Sequence, residues 1–234
     1  MTQKTILVTG GSKGIGRAVA LQFAADGFHC IICARNEDEL RKTAGELERA
    51  GGTVSYATCN VRDRESIRTF VENTVQGRSI DVLVNNVGTY VPGQIHTEED
   101  GVFELMMETN LHSTYHFSRM IVPLMKAAEK PHIFNICSTA SITAYANGGS
   151  YCISKFAQYG LTKVLREELK PFKIRVTAVL PGATRTSSWD GTDLPESRFV
   201  LPDDVATSIH SAYGLRQGAV VEDLIIRPME GDII

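Results

Sequence analysis

The sequence lacks the features that mark several classes of protein. It contains no run of about 18 consecutive apolar residues, so no membrane-spanning helix is expected. Charge of neither sign dominates, since 24 Lys and Arg stand against 27 Asp and Glu, whereas nucleic-acid binders usually carry a basic excess. No Pro- or Ser-rich linker, internal repeat or low-complexity tract divides the chain. These absences predict a single soluble domain, residues 1–234, that binds neither nucleic acid nor membrane.

Cysteine is scarce and has no disulfide spacing. The five residues are Cys30, Cys33, Cys59, Cys137 and Cys152, an odd number without a regular framework. Cys30 and Cys33 form a CxxC pair inside the apolar run FHCIICA, where positions i and i+3 of a strand point to opposite faces. The opening MTQKTILVT has too short an apolar run for a signal peptide. We therefore expect buried reduced thiols, no metal site and a cytoplasmic location.

Short β-branched apolar runs alternate with longer polar segments that have a 3.6-residue apolar period. The runs predict strands at Thr5–Val8, His29–Ala34, Val54–Cys59, Val82–Val84, His132–Cys137, Arg175–Leu180 and Val220–Ile226. Capping residues predict helix starts at Asn36, Asp63 and Thr97. This alternation predicts an α/β doubly wound fold with an about seven-stranded parallel sheet and helices on both faces. The continuous apolar character of the runs indicates strands that are covered on both sides.

A glycine-rich turn follows the first strand and opens a helical apolar pattern. Its glycines stand at positions 10, 14 and 16. Glycine allows a tight turn and a close approach of the backbone to a pyrophosphate, while the helix start offers N–H groups and a positive dipole end. A plain strand–helix turn is the alternative, but such a turn rarely needs three glycines. The pattern predicts a Rossmann-type dinucleotide site at Gly10, Ser12, Lys13, Gly14, Ile15 and Gly16.

The end of the second strand indicates which dinucleotide is bound. An NAD site has an acidic residue there to bind the ribose 2′-hydroxyl, but this sequence has Arg35. Lys13 stands in the glycine loop nearby, and two cations suit a 2′-phosphate. The alternative is that both are solvated surface cations. The sequence therefore predicts NADP(H) rather than NAD(H).

Further landmarks follow in a fixed order along the chain. They are Asn85-Asn86-Val87-Gly88, Asn110, Ser138, Tyr151-Cys152-Ile153-Ser154-Lys155 and Pro181-Gly182. Together with the glycine loop they resemble the short-chain dehydrogenase/reductase family, in its compact single-domain branch, over nearly the whole chain. The resemblance implies reversible hydride transfer between NADP(H) and a small carbonyl or alcohol substrate. It also implies a homodimer or homotetramer.

The spacing of Tyr151 and Lys155 indicates acid–base chemistry. The two residues are i and i+4, so on a helix they share one face. A Lys ammonium one turn away favours the phenolate and should bring the pKa of Tyr151 down from about 10 toward neutrality. Tyr151 would then donate a proton to the substrate carbonyl oxygen, with Ser138 hydrogen-bonded to the same atom. The resemblance implies that Lys155 holds the nicotinamide ribose and that Asn110 supports a water linked to Lys155.

The resemblance also places other positions around the cofactor and the substrate. It assigns Asn60, Val61, Asn86, Gly88, Pro181, Gly182, Thr184 and Thr186 to the cofactor. Substrate candidates at the carboxyl ends of the strands are Tyr90, Thr139, Ala140, Tyr145 and Ala183. Residues 187–201 occupy the position of the substrate lid and contain the single Trp189. Trp189 is expected either at the pocket mouth or packed against the body as part of a surface loop.

The favoured function is an NADPH-dependent carbonyl reductase, and several alternatives stay open. A 3-oxoacyl-thioester (acyl-carrier-protein) reductase is one, although the chain end lacks the usual Gly-rich stretch; a sepiapterin-reductase-like enzyme is another. A catalytically silent NADP(H) sensor on the same fold is the non-enzyme alternative. The presence of Asn110, Ser138, Tyr151 and Lys155 together favours an enzyme. His112 and His116 are interpreted as packing or interface residues rather than metal ligands.

Overall fold

Seven strands form one parallel sheet in the computed structural model, which describes residues 3–75 and 77–233. The strands are β1 (Thr5–Thr9), β2 (His29–Ala34), β3 (Thr53–Thr58), β4 (Val82–Asn85), β5 (His132–Ile136), β6 (Arg175–Pro181) and β7 (Asp223–Ile226). The helices are α1 (Gly14–Ala25), α2 (Glu37–Arg49), α3 (Arg64–Phe70), α4 (Val102–Met106), α5 (Ser113–Met125), α6 (Gly149–Leu169) and α7 (Pro202–Gly214). One π-helical turn, Val71–Val75, follows α3, and another, Met107–His112, joins α4 to α5.

The strand order is β3-β2-β1-β4-β5-β6-β7, and every neighbouring pair is parallel. The chain builds outward from β1 to β3 and then returns to place β4 on the other side of β1. This reversal is the topological switch point at which doubly wound sheets have their ligand crevice. The predicted fold class is confirmed.

The sheet is covered on both faces, because successive side chains of a strand point to opposite sides. Ile6 and Val8 of β1 pack in a core cluster with residues of α1 and α7, such as Phe23 and Ile209. Leu7 lies in a second cluster with residues of α3 and α5. The CxxC pair divides in the same way, with Cys30 in the first cluster and Cys33 in the second. All five cysteines are buried free thiols, as expected.

The two edge strands depart from the prediction of strands covered on both sides. In β3 the side chains are half-buried or exposed, and in β7 exposed and half-buried residues alternate. Each edge strand has a neighbour on only one side, so less of its surface is covered. The last strand also begins at Asp223 rather than at Val220. The residues just before Asp223 are joined to β6 by isolated hydrogen bonds, such as the one that Thr177 Oγ1 donates to the Val221 carbonyl oxygen at 2.6 Å.

Two of the three predicted helix starts are confirmed. The Asn36 side chain accepts a hydrogen bond from the Glu39 N–H at 3.0 Å, and the Asp63 side chain accepts one from the Glu65 N–H at 3.0 Å. The start at Thr97 is wrong, because α4 begins at Val102. The hydroxyl of Thr97 instead donates to the carbonyl oxygen of Gln94. Within the described ranges, no helix has the length and apolar character needed to cross a membrane.

Replacing Asn36 with Ala should lower the free energy of unfolding by about 1 kcal/mol, because the first turn of α2 loses its side-chain acceptor. Urea unfolding followed by circular dichroism measures the change. Asn36→Asp is the control, since a carboxylate oxygen can accept the same bond. If Asn36→Ala and Asn36→Asp were equally stable, the cap would contribute nothing.

Candidate active site

The glycine loop has a backbone conformation in which residues with a side chain would be strained. Gly10 and Gly14 have φ values of +64° and +53°, in the left-handed region that L side chains rarely adopt. A Cβ atom on Gly16 would collide with the carbonyl oxygen of Gly10 and the side-chain amide of Asn86. Glycine is therefore required at all three predicted positions.

The amino end of α1 is open to an anion. Lys13, at the N-cap, makes no side-chain capping bond, and the first turn contains no acidic residue. The first N–H groups of the helix therefore keep their hydrogen-bonding capacity, next to the positive end of the helix dipole. A cavity of about 350 Å³ lies here and is lined by Lys13, Gly14, Arg17, Ala18, Arg185, Thr186, Ser187, Asp190, Pro202 and Asp203. Thr186 lies against Gly14, so the structure brings this predicted cofactor residue beside the loop.

The predicted 2′-phosphate residues lie at the surface, and a carboxylate lies among them. Arg35 is exposed and makes no hydrogen bond or ion pair with residues 3–75 or 77–233. The Ser12 hydroxyl donates to Glu39 Oε2 at 3.0 Å, and Lys13 Nζ is 3.8 Å from Glu39 Oε1. Glu39 was missed from the sequence because it follows the strand by several residues and stands in the first turn of α2.

The predicted cofactor residues Asn60 and Val61 differ in accessibility. Asn60 is exposed, and its side-chain oxygen accepts a bond from the Arg62 N–H at 3.2 Å, which leaves one of its two lone pairs free. The side chain of Val61 is buried in the core cluster. Val61 can therefore contact a ligand only through its backbone.

The segment after β4 joins the glycine loop to the helix that carries Tyr151. Asn86 Nδ2 donates to the carbonyl oxygens of Thr9 and Gly10, at 3.0 and 3.1 Å. A Cβ on Gly88 would lie 3.4 Å from Lys155 Nζ and 3.4 Å from Asn110 Oδ1. Asn86 and Gly88 are thus brought together with the other predicted residues at the carboxyl edge of the sheet.

Tyr151 and Lys155 share one face of α6, as their spacing predicts. The expected lowering of the tyrosine pKa is not found. Burial raises the pKa of Tyr151 to about 12, and a hydrogen bond with Ser138 offsets part of that rise. Lys155 Nζ lies 6.0 Å from the centre of the Tyr151 ring, too far for strong stabilisation of a phenolate. Tyr151 is therefore a phenol at neutral pH, with a proton to give.

Lys155 is almost fully buried and held by two acceptors. Its Nζ donates to the carbonyl oxygen of Ile136 at 3.0 Å and to Gln158 Oε1 at 2.9 Å. Burial lowers the pKa of Lys155 to about 8, because the charged form is poorly solvated. The ammonium form still predominates at pH 7, so the positive charge predicted beside Tyr151 is present.

Ser138 has two roles in the structure. Its Oγ accepts a bond from the Ala140 N–H at 3.1 Å and caps the short turn Thr139–Ser141 after β5. The same hydroxyl faces Tyr151 and lowers the pKa of that phenol. The capping bond fixes the side chain at the position where it meets the tyrosine.

Asn110 ties the segment after β4 to α6 through its carboxamide. Its Oδ1 accepts from the Thr89 N–H at 2.8 Å, while its Nδ2 donates to the Thr89 carbonyl oxygen at 3.1 Å and to Ser154 Oγ at 2.9 Å. Asn110 is fully buried and stands in the π-helical turn before α5. Its backbone carbonyl oxygen accepts from Thr114 Oγ1 at 3.1 Å.

Sequence reasoning missed Gln158, which completes this buried network. Its Oε1 accepts from Lys155, and its Nε2 donates to Thr114 Oγ1 at 2.9 Å. A chain of hydrogen bonds thus runs from the lysine ammonium through Gln158 and Thr114 to the carbonyl oxygen of Asn110. The signal was available, because positions three apart on a helix are neighbours.

The substrate candidates divide into accessible and inaccessible side chains. Tyr90 and Tyr145 are 43% and 42% exposed, and the Tyr90 ring packs edge-on against Tyr151 with centroids 4.8 Å apart. Thr139 is half-buried. Ala140 is only 1% exposed, so its methyl group is not accessible to a substrate in this structure and only its backbone could take part. Ala183 is half-buried, and its carbonyl oxygen accepts from the Val200 N–H at 2.9 Å.

The segment after β6 is closely tied to the body. Pro181 ends the strand, and the Gly182 N–H donates to the Ile226 carbonyl oxygen at 2.8 Å. Thr184 is buried, and its hydroxyl donates to the Gly182 carbonyl oxygen at 3.0 Å. Its side chain is therefore not free for a ligand, whereas Thr186 is partly exposed beside Gly14.

Residues 187–201 contain two short 3-10 turns, Ser187–Trp189 and Glu196–Arg198. The ring of Trp189 meets the buried ring of Phe199 at a centroid distance of 5.1 Å. Arg185 donates to the Trp189 carbonyl oxygen at 2.8 Å. Trp189 therefore packs on a buried residue of its own segment, and its place at the pocket mouth stays a prediction.

The two histidines of α5 and the turn before it do not form part of a larger ligand set. His112 is exposed, and His116 packs edge-on against Tyr115. In the part of the chain that the structure describes, no group of three or more His, Cys, Asp or Glu side chains could hold a metal ion. The absence of a metal in the chemistry stays a prediction.

Comparison with known proteins identifies the family. The family model for short chain dehydrogenase matches residues 4–195. The chain belongs to the short-chain dehydrogenase family. Among curated relatives, the sepiapterin reductase of Chlorobaculum tepidum is 34% identical over 97% of both chains. The 3-oxoacyl-[acyl-carrier-protein] reductase of Thermotoga maritima is 33% identical over 88% of both chains.

Solved structures of the family agree with the fold and the cofactor class. An alcohol dehydrogenase from Thermococcus sibiricus, complexed with 5-hydroxy-NADP, has a TM-score of 0.89 and 26% identity over 100% of both chains. Other similar structures, among them a metagenomic short-chain oxidoreductase and an actinorhodin polyketide ketoreductase, were solved with NADP or NADPH. At the level of the family, the prediction of NADP(H) as cofactor is confirmed.

Replacing Gln158 with Leu should lower the free energy of unfolding by about 1–3 kcal/mol at pH 7, because the buried Lys155 ammonium loses an acceptor. Urea unfolding measures the change. The folded pKa of Lys155, about 8, lies below its unfolded value. Above pH 8 the lysine of the unfolded state binds more protons than that of the folded state. The contribution of Lys155 to the free energy of unfolding of the parent therefore increases as the pH rises. The penalty of the variant should be smaller at pH 9.5, where the folded lysine is neutral.

Gln22→Leu is the matched control for this prediction. Gln22 is a half-buried glutamine of α1, and its side chain makes no hydrogen bond with the described residues. Its replacement should change stability by less than about 0.5 kcal/mol. A Gln158→Leu protein as stable as Gln22→Leu would show that the buried network does not support Lys155.

Proposed function

We propose that the protein catalyses the reversible, NADPH-dependent reduction of a ketone or aldehyde to an alcohol. The observation that carries the proposal is the pairing of a phenolic Tyr151 with the Ser138 hydroxyl at the carboxyl edge of the sheet. The buried ammonium of Lys155 lies on the same helix face. These are the groups needed to bind a carbonyl oxygen and to protonate it.

The residues fit an NADP(H) molecule in several respects. The close packing of the glycine loop leaves no room for a Cβ atom on Gly16. The uncapped start of α1 suits a pyrophosphate held by Gly14, Ile15 and Gly16. We assign Ser12, Lys13 and Arg35 to the 2′-phosphate. The remaining contacts would come from Gly10, Asn60, Val61, Asn86, Gly88, Pro181, Gly182, Thr184 and Thr186, with Val61 and Thr184 acting through their backbone. When bound, NADPH supplies the hydride that reaches the carbonyl carbon.

The chain itself supplies the proton and stabilises the charge. Ser138 Oγ hydrogen-bonds to the substrate oxygen and holds it within reach of Tyr151. The Tyr151 hydroxyl transfers its proton to that oxygen, which becomes the alcohol. The positive charge of Lys155, on the same helix face, contributes modestly to stabilising the resulting phenolate until it regains a proton. We assign Asn110 to the support of a water that links Lys155 to solvent.

A sepiapterin-reductase-like activity is the second candidate. It is favoured by 34% identity to such an enzyme over 97% of both chains. The exposed rings of Tyr90 and Tyr145 beside Tyr151 would suit a planar ring next to the reacting carbonyl. A 3-oxoacyl-thioester reductase is supported by a relative of that name at slightly lower coverage. A silent NADP(H) sensor is disfavoured, because it would not need both Tyr151 and Lys155.

We also propose that residues 1–234 act as one domain within a homodimer or homotetramer. The assembly is supported by exposed apolar side chains on neighbouring helices, which a second copy could cover. These side chains are Phe103, Tyr115, Ile153, Phe156 and Val164. Five buried free thiols suit a reducing compartment such as the cytoplasm.

Tyr151→Phe should abolish turnover and leave NADPH binding nearly intact, because only the proton donor is lost. NADPH oxidation is measured across ketones, diketones and ketoacyl thioesters, and binding is measured by NADPH fluorescence. We expect the rate to fall at least about 10²-fold, while the dissociation constant changes by less than about twofold.

Tyr159→Phe is the control for this substitution. Tyr159 lies on the same helix, but its hydroxyl donates to Asp223 at 2.6 Å, away from the site. This variant should keep its turnover. Full activity in Tyr151→Phe would mean that another group donates the proton. A parent protein that binds NADPH but consumes none with any of these compounds would instead support the sensor.

A further inference from the structure

An acidic side chain lies within the cationic corner assigned to the 2′-phosphate. Glu39 accepts a bond from the Ser12 hydroxyl at 3.0 Å, and its other oxygen is 3.8 Å from Lys13 Nζ. Ser12 is buried, whereas the Glu39 side chain is partly exposed. The carboxylate thus contacts two of the three groups that would bind the phosphate.

The position of Glu39 is set by contacts on both sides of it. Its N–H is capped by Asn36 at 3.0 Å, which fixes the first turn of α2. One turn further on, Thr43 Oγ1 donates to the Ser12 carbonyl oxygen at 2.9 Å. The helix is therefore attached to the glycine loop, and the amino end of its dipole favours the negative charge of Glu39.

The carboxylate has opposite effects on the two cofactors. The 2′-phosphate of NADPH would bring about two negative charges next to Glu39 and compete with it for Ser12 and Lys13. The 2′-hydroxyl of NADH is a donor, and the Glu39 carboxylate can accept from it. We infer that Glu39 is a specificity-determining residue that weakens NADPH binding relative to NADH and so opposes Arg35 and Lys13. The inference rests on the proposed cofactor site, but not on catalysis.

The test compares Glu39→Gln with the parent by titration of NADPH and NADH, followed by cofactor fluorescence. Glutamine keeps the size and the acceptor for Ser12 but removes the charge. The dissociation constant for NADPH should fall roughly fivefold to tenfold, which is the relief of repulsion expected if the removed charge stands about 6 Å from the 2′-phosphate. The constant for NADH should stay the same or rise. The gain for NADPH should shrink at 1 M salt, where such charges are screened.

Glu37→Gln is the matched control. Glu37 stands in the same first turn, and among the described residues its ion pair is with Arg41 at 3.6 Å. The Glu37→Gln substitution removes one negative charge at a residue that does not contact the glycine loop, so the NADPH affinity should change by less than about twofold. Glu39→Ala, with a thermal unfolding curve, provides a second variant should Glu39→Gln fold poorly.

Four results would overturn the inference. Equal effects of Glu39→Gln and Glu37→Gln would show a general charge effect rather than a specific one. Weaker NADPH binding in Glu39→Gln would show that the carboxylate pre-positions Ser12 and Lys13 for the phosphate. A parent that binds NADPH while Glu39→Gln leaves its affinity unchanged refutes this inference alone. A parent that binds neither nucleotide refutes the cofactor site as well.

Discussion

The parallel arrangement of the strands is the constraint on which the rest of the structure depends. Because all seven strands run the same way, their carboxyl ends meet at one edge of the sheet. Gly10 and Asn86 lie at that edge directly after β1 and β4, Ser138 lies two residues after β5, and Pro181 is the last residue of β6. Residues far apart in the chain therefore meet in one crevice, and each connecting helix covers a face of the sheet on the way back.

A buried polar network turns this edge into a site of fixed geometry. Asn110 joins the backbone after β4 to Ser154 of α6, and Gln158 joins Lys155 to Thr114 of α5. Unpaired polar groups in such a place would be costly, so the bonds hold α6 in one position relative to the sheet. Burial keeps Tyr151, the proposed proton donor, as a phenol, and Lys155 stays on the same helix face. Glu39 acts on the other end of the crevice, where cofactor choice rather than chemistry is decided.

The parts that could be predicted from the sequence depend on local rules. Strand runs, the glycine loop and the caps at Asn36 and Asp63 follow from neighbouring residues alone. The parts that could not be predicted depend on distant contacts. Glu98 follows Thr97, yet its carboxylate accepts from the Ser150 N–H at 2.8 Å and so caps α6 instead of α4. Burial likewise decided the high pKa of Tyr151 and the interior position of Ala140, and burial is a property of the whole fold.

The most direct test of the account follows the hydride. NADPH deuterated at C4 of the nicotinamide, prepared as each of its two epimers, is incubated with the protein and a carbonyl compound, and the product is analysed by mass spectrometry and NMR. Direct transfer of hydride from NADPH to the carbonyl carbon predicts an alcohol with one deuterium on its carbinol carbon from one epimer and none from the other. NADPH oxidation that yields an alcohol without deuterium from either epimer, or no oxidation with any carbonyl compound, would contradict it.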